Sequence, residues 1–200
     1  MQNRYLWNRF KHEEQLIEQQ GSSANAKWLW HGTTSTDPLV VCGGVDGVDF
    51  RMVCVLTWVL HVTLPLLLVL SAGGVYTIVP LTHVRGQARK AGYYGRGAYF
   101  AENAAYVDGT YAYYVPSDGT NRTRQMLLVH VLCGTTHDCG RTVNRATKRL
   151  IKPPPGCHSV SGGPHVAGDS PAETKMWIVY DRAQVYPAYI VTYRMGGGAP

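Results

Sequence analysis

Two hundred residues, 45% of them apolar and 16% charged, are enough for one domain with a buried core and exclude a wholly disordered chain. Nineteen Lys and Arg against thirteen Asp and Glu leave a formal charge of +6, which suits a protein that meets anions. The five cysteines (Cys42, Cys54, Cys133, Cys139 and Cys157) include no Cys-x-x-Cys pair, and no signal-peptide pattern precedes them, so reduced thiols in the nucleus or cytoplasm are expected.

Over residues 4–20, Leu6, Trp7, Phe10, Leu16 and Ile17 recur at roughly helical spacing, and Gly21-Ser22-Ser23 ends the run. Lys27 to His31 reads as a buried strand that runs out at Gly32-Thr33. No Asp, Glu, Lys or Arg occurs from Met52 to Val84, and residues 52–72 are apolar enough to suggest a membrane span. Pro65 and His61 weaken that reading. The stretch 53–88 is read instead as a hydrophobic insertion within a domain covering 1–195, with 196–200 a flexible tail.

Gly92-Tyr93-Tyr94-Gly95-Arg96-Gly97 is a glycine-rich turn feeding the short strand Ala98-Tyr99-Phe100-Ala101. It lacks the third glycine and the following helix of a dinucleotide fingerprint, so a Rossmann fold is not supported. From Glu102 to Tyr114 the chain is rich in tyrosine, and Gly109 argues against one uninterrupted helix. Pro116-Ser117-Asp118-Gly119 reads as a turn and Met126 to Leu132 as an apolar strand. Five of the twelve residues from Arg141 to Lys152 are basic. With no base-reading module beside them, they read as a solvated basic loop and suggest nucleic acid only weakly. Pro153-Pro154-Pro155-Gly156 continues that loop, and Met176 to Asp181 and Ala188 to Tyr193 are closing strands. Helix first, strands after, with no regular βαβ alternation, predicts an α+β domain on antiparallel sheets. Cys133, His137, Cys139 and His158 have no spacing that fixes a metal geometry, so no metal is expected.

Three ordered blocks carry a resemblance: Trp30-His31-Gly32-Thr33, then Tyr94-Gly95-Arg96-Gly97-Ala98-Tyr99-Phe100-Ala101, then Gln184-Val185-Tyr186-Pro187-Ala188-Tyr189. Together they resemble the catalytic domain of the poly(ADP-ribose) polymerase family across nearly the whole chain. The resemblance implies an ADP-ribosyltransferase-like fold, with split antiparallel β-sheets, flanking helices and the hydrophobic insertion. If His31 and Tyr99 line one pocket, a single membrane span between them would put them on opposite sides, which is why 53–88 is read as an insertion. A membrane partner follows only if residues 52–72 span.

The resemblance further implies NAD as the donor of ADP-ribose, with nicotinamide as the leaving group and a protein side chain as acceptor. His31 would hydrogen-bond a ribose hydroxyl of the adenosine half, and Gly32 would hold the nicotinamide amide through its backbone, with Thr33 following. Tyr99 would pack on the nicotinamide-ribose end. Tyr111 is the chosen stacking ring, with Tyr106 and Tyr113 as competitors. Where the family usually has a small hydroxyl residue this chain has Val107. Where polymer-building members keep a catalytic Glu it has Met176, whose thioether cannot act as a base. Glu173, three residues away along a strand, falls on the opposite face. The implied activity is transfer of single ADP-ribose units; the alternative is an inactive module that binds NAD, ADP-ribose or a protein. His158 and Ser159 are expected in a loop framing the acceptor side.

Overall fold

Asn3 starts the first helix by accepting the Leu6 amide at 3.2 Å, leaving α1 to run over Arg4–Gln19. The computed structural model describes residues 3–48, 92–116, 123–166 and 172–194. The insertion at 53–88, the candidate span at 52–72, Ser117 to Gly119 and the tail at 196–200 lie outside the described residues. Among those described, no helix is long and apolar enough to cross a membrane.

The apolar spacing of α1 turns Leu6, Phe10 and Ile17 inward, while Trp7 and Leu16 remain partly exposed. Burial of a ring such as Phe10 is worth about 1.5–3 kcal/mol. The second helix, α2 (Pro38–Gly43), follows Asp37, whose carboxylate accepts the Leu39 amide at 2.8 Å. The Asn3 amide donates to the Cys42 and Gly44 carbonyls, tying the start of α1 to the end of α2. The third, α3 (Ala104–Thr110), is capped by Asn103 and passes through Gly109 before stopping one residue later.

Among the described residues, eight strands form a mostly antiparallel sheet. They are β1 (Ala26–His31), β2 (Ala98–Ala101), β3 (Tyr113–Tyr114), β4 (Thr123–Leu132), β5 (Thr136–Asp138), β6 (Ser159–Val166), β7 (Glu173–Val179) and β8 (Val185–Arg194). The pairing path is β3-β4-β1-β2-β7-β6-β5, with β8 also on β4 and only β5–β6 parallel. The expected split is therefore not a break in the pairing, because hydrogen bonds link all the described strands into one sheet, with β8 branching from β4. It narrows between β1 and β2, which share the single register position Trp30↔Ala101.

The two-residue period of the strands sorts side chains onto two faces. On one face Leu29, Phe100, Leu127, Val129, Trp177 and Val179 form a core closed by Val41 of α2 and by Val48. On the other, α1 covers Leu132 and Tyr186 at one end. At the opposite end Tyr106 and Val107 of α3 pack on Met126, Val160, Met176 and Ile178, together with Tyr94. This second cluster collects most of the residues that the sequence marks out.

Candidate functional site

The glycine turn closes on itself through paired bonds between the Gly92 and Gly95 backbones, each 3.2 Å. Gly95 has φ +83°, and a Cβ there would lie 2.0 Å from the Leu150 carbonyl oxygen, so both conformation and close approach require glycine. The Tyr99 hydroxyl crosses under the turn, accepting the Tyr94 amide at 2.8 Å and donating to the Gly95 carbonyl at 3.0 Å. Any contact of Tyr99 with a ligand is thus left to the face of its half-buried ring.

Tyr94, fully buried, fixes the turn from inside. Its hydroxyl donates to the Gly140 carbonyl at 2.8 Å and accepts from His165 Nε2 at 2.6 Å. Tyr180 donates to the Tyr94 carbonyl at 2.7 Å. Burial pushes the Tyr94 phenol up to about 12 and raises those of Tyr106 and Tyr180 as well, so these hydroxyls stay protonated at neutral pH.

His31 is buried where β1 and β2 diverge. Extending the register Trp30↔Ala101 by one would set His31 opposite Phe100; instead the imidazole turns inward, its Nδ1 2.8 Å from the Tyr99 carbonyl. A carbonyl only accepts, so Nδ1 carries the proton of that bond. The ring tilts on Phe100 at 5.2 Å, on the sheet face opposite the Tyr99 phenol. His31 and Tyr99 thus meet through the backbone of Tyr99.

Gly32 lies under the end of α3, where a Cβ would come within 2.2 Å of the Tyr111 carbonyl oxygen. That same carbonyl accepts the Thr34 amide at 2.9 Å. Thr33 is fully buried, and its hydroxyl has no hydrogen-bond partner among the described residues. An unsatisfied buried hydroxyl costs about 1–3 kcal/mol, which a bound polar group would recover.

Met176 pairs with Ala101 across β2 and points onto the tyrosine-rich face, where its sulfur lies 3.6 Å from the Tyr106 hydroxyl. The rings of Tyr106 and Tyr111 lean together with centroids 5.8 Å apart, while Tyr113 pairs with Gln125 at the start of β3. Tyr99, Tyr106, Tyr111 and Met176 therefore share one cluster, with Val107 buried beside them. The neighbouring carboxylates are committed elsewhere. Glu102 accepts the Trp177 indole at 2.8 Å, Asp108 binds Arg124 at 2.7 Å and Tyr193 at 2.5 Å, and exposed Glu173 meets Arg141 at 3.4 Å.

His158 and Ser159 lie away from this cluster. His158 accepts the Thr135 amide at Nδ1 and faces Gln20 of α1 through Nε2. Ser159 is not a loop residue: it opens β6, fully buried, and donates to the Cys133 carbonyl at 2.7 Å. Pairing with β7 makes this a strand despite the glycines and proline that follow. Sequence reasoning missed Tyr94 and His165, because a tyrosine within a glycine turn carries no mark of burial and its histidine partner is remote in sequence. No known protein-family model matches the chain.

Proposed function

We propose that this chain is an NAD-dependent protein ADP-ribosyltransferase that transfers single ADP-ribose units with release of nicotinamide. The observation that carries the reading is the meeting of the first two sequence blocks: the His31 imidazole is bonded to the backbone of Tyr99, and Tyr99 shares a face with Met176, Tyr106 and Tyr111. The orphaned Thr33 hydroxyl beside Gly32 adds a buried polar group suited to a ligand amide.

In this reading the bond between nicotinamide and the ribose C1′ breaks, its electron pair leaving with nicotinamide. The acceptor's nucleophilic atom forms the new bond to C1′ and loses its proton to solvent. The transition state resembles the oxocarbenium ion of glycoside cleavage, so the chain's task is orientation more than acid–base catalysis. His31 hydrogen-bonds a ribose hydroxyl, and the aromatic rings hold the flat leaving group. The Met176 thioether offers no base to a ribose hydroxyl, which supports stopping at one unit.

Incubation of the full chain with labelled NAD, followed by electrophoresis and mass spectrometry, should give single-unit modification. Long polymer would overturn the role given to Met176, and undiminished labelling by His31→Ala would remove His31 from the mechanism. The second reading, an inactive NAD- or ADP-ribose-binding module, is favoured by the same sulfur in place of a carboxylate. Calorimetric NAD binding without nicotinamide release would select it.

A further inference from the structure

The loop from Arg141 to Lys152 is built rather than slack. Asn144 Oδ1 accepts the Ala146 and Thr147 amides at 2.8 and 3.0 Å, and Thr147 returns a bond to the Asn144 carbonyl. A single 3-10 turn over Thr147–Arg149 follows, while Val143 and Leu150 pack inward against the tyrosine-rich cluster. The Leu150 carbonyl then accepts the Arg96 amide at 2.8 Å, seating the loop on Gly95, the residue whose carbonyl holds the Tyr99 hydroxyl.

That construction leaves Arg145, Lys148 and Arg149 exposed beside exposed Arg96, and none of the four has an ion-pair partner among the described residues. The sequence supplies no local relief, since no Asp or Glu occurs from Cys139 to Val166. The flanking cations are placed differently: Arg141 meets Glu173, and Lys152 lines a separate cleft of about 310 Å³ with Glu13 and Asp181. A rigid loop that holds like charges together without partners is stabilised by a polyanion, and its field raises the encounter rate with one.

We propose that Arg96, Arg145, Lys148 and Arg149 form a docking surface for an acidic segment of the acceptor protein. This rests on the transferase reading, which puts the acceptor next to the Tyr99 face. Carboxylate side chains match the arginine forks bidentately. Nucleic acid is the weaker fit, because no aromatic residue lies between Arg141 and Lys152 to stack a base.

The test uses the full chain and two fluorescent probes, an oligoglutamate peptide and a single-stranded oligonucleotide of matched charge, titrated by anisotropy at low and physiological salt. The peptide should bind more tightly than the oligonucleotide, with affinity falling as salt rises. The triple variant Arg145→Glu, Lys148→Glu, Arg149→Glu should weaken peptide binding about tenfold or more, with circular dichroism and NAD affinity unchanged. Absence of peptide binding, indifference to the triple variant, or tighter binding of the oligonucleotide through these residues would each overturn the proposal. Peptide binding that depends on these residues in a chain that does not bind NAD would sustain the docking surface and sink the transferase reading instead.

Discussion

The two ends of one sheet face use aromatic residues in opposite ways. Under α1, Trp7, Phe10, His130 and Tyr186 stack ring on ring, with Phe10 and His130 centroids 5.3 Å apart and Trp7 edge-on to Tyr186 at 5.0 Å. Under α3, the phenols of Tyr94, Tyr99, Tyr106, Tyr180 and Tyr193 each end in a hydrogen bond, most of them to a carbonyl or a carboxylate. The first end fills volume. The second holds backbone at fixed points, which is what a site needs from its surroundings.

That contrast is breakable by substitution. Phe10→Ala should show the largest effect, a loss of about 3–5 kcal/mol in denaturant unfolding, because it empties a fully buried ring position. A cost under about 1 kcal/mol would mean that α1 is not part of the core. Gly95→Ala comes next: with φ +83° and the Leu150 carbonyl in the way, it should cost about 1–3 kcal/mol through strain at a left-handed position. Protease cleavage within 141–152 should speed up in parallel.

Sharper still is a pair of matched hydroxyl deletions. Tyr94→Phe removes one of the two donors to the Gly140 carbonyl, which keeps the Gly163 amide, and leaves His165 Nε2 without its acceptor; it should cost about 1–3 kcal/mol. Tyr186→Phe, at the stacked end, removes no hydrogen bond seen among the described residues and should stay within about 0.5 kcal/mol. Equal losses in the two variants would erase the distinction.

The smallest effect is on pH dependence. Burial holds the imidazoles of His130 at one end and His165 at the other below the usual value of 6.5, with Arg141 also lowering His165. Unfolding frees both to take protons, so the stability they contribute is intact above pH 6.5 and is lost as pH falls below it. Unfolding midpoints measured across pH 5 to 8 should slope downward on the acid side. His130→Gln and His165→Gln should each flatten part of that slope, and an unchanged slope in both would assign it to other groups.

Much of this fold was legible in the chain, since α1, β1, β4, β7 and β8 all announce themselves by apolar period. The helix α2 was not seen, because Leu39-Val40-Val41-Cys42 has the β-branched look of a strand. Asp37-Pro38, a cap followed by a proline at the first helical position, was the available signal. Strand β6 was unreadable for the opposite reason: Gly162-Gly163-Pro164 is loop chemistry locally, and β7 imposes the strand through tertiary pairing. At the candidate site, the motifs singled out Tyr99 and His31 and the departure at Met176. The clamp of Tyr94 on Gly140 and His165 depends on contacts between distant segments, which local sequence does not record.

The narrow seam between β1 and β2 gives His31 a second duty. With one register position joining the half-sheets there, the Nδ1 bond to the Tyr99 carbonyl acts as a stitch across the gap. Deleting the imidazole therefore opens that seam at the same time as it removes the group that the proposed transferase would offer to ribose. Only a loss of labelling by a His31→Ala chain that melts like the parent speaks for chemistry rather than for a sheet coming apart along its weakest line.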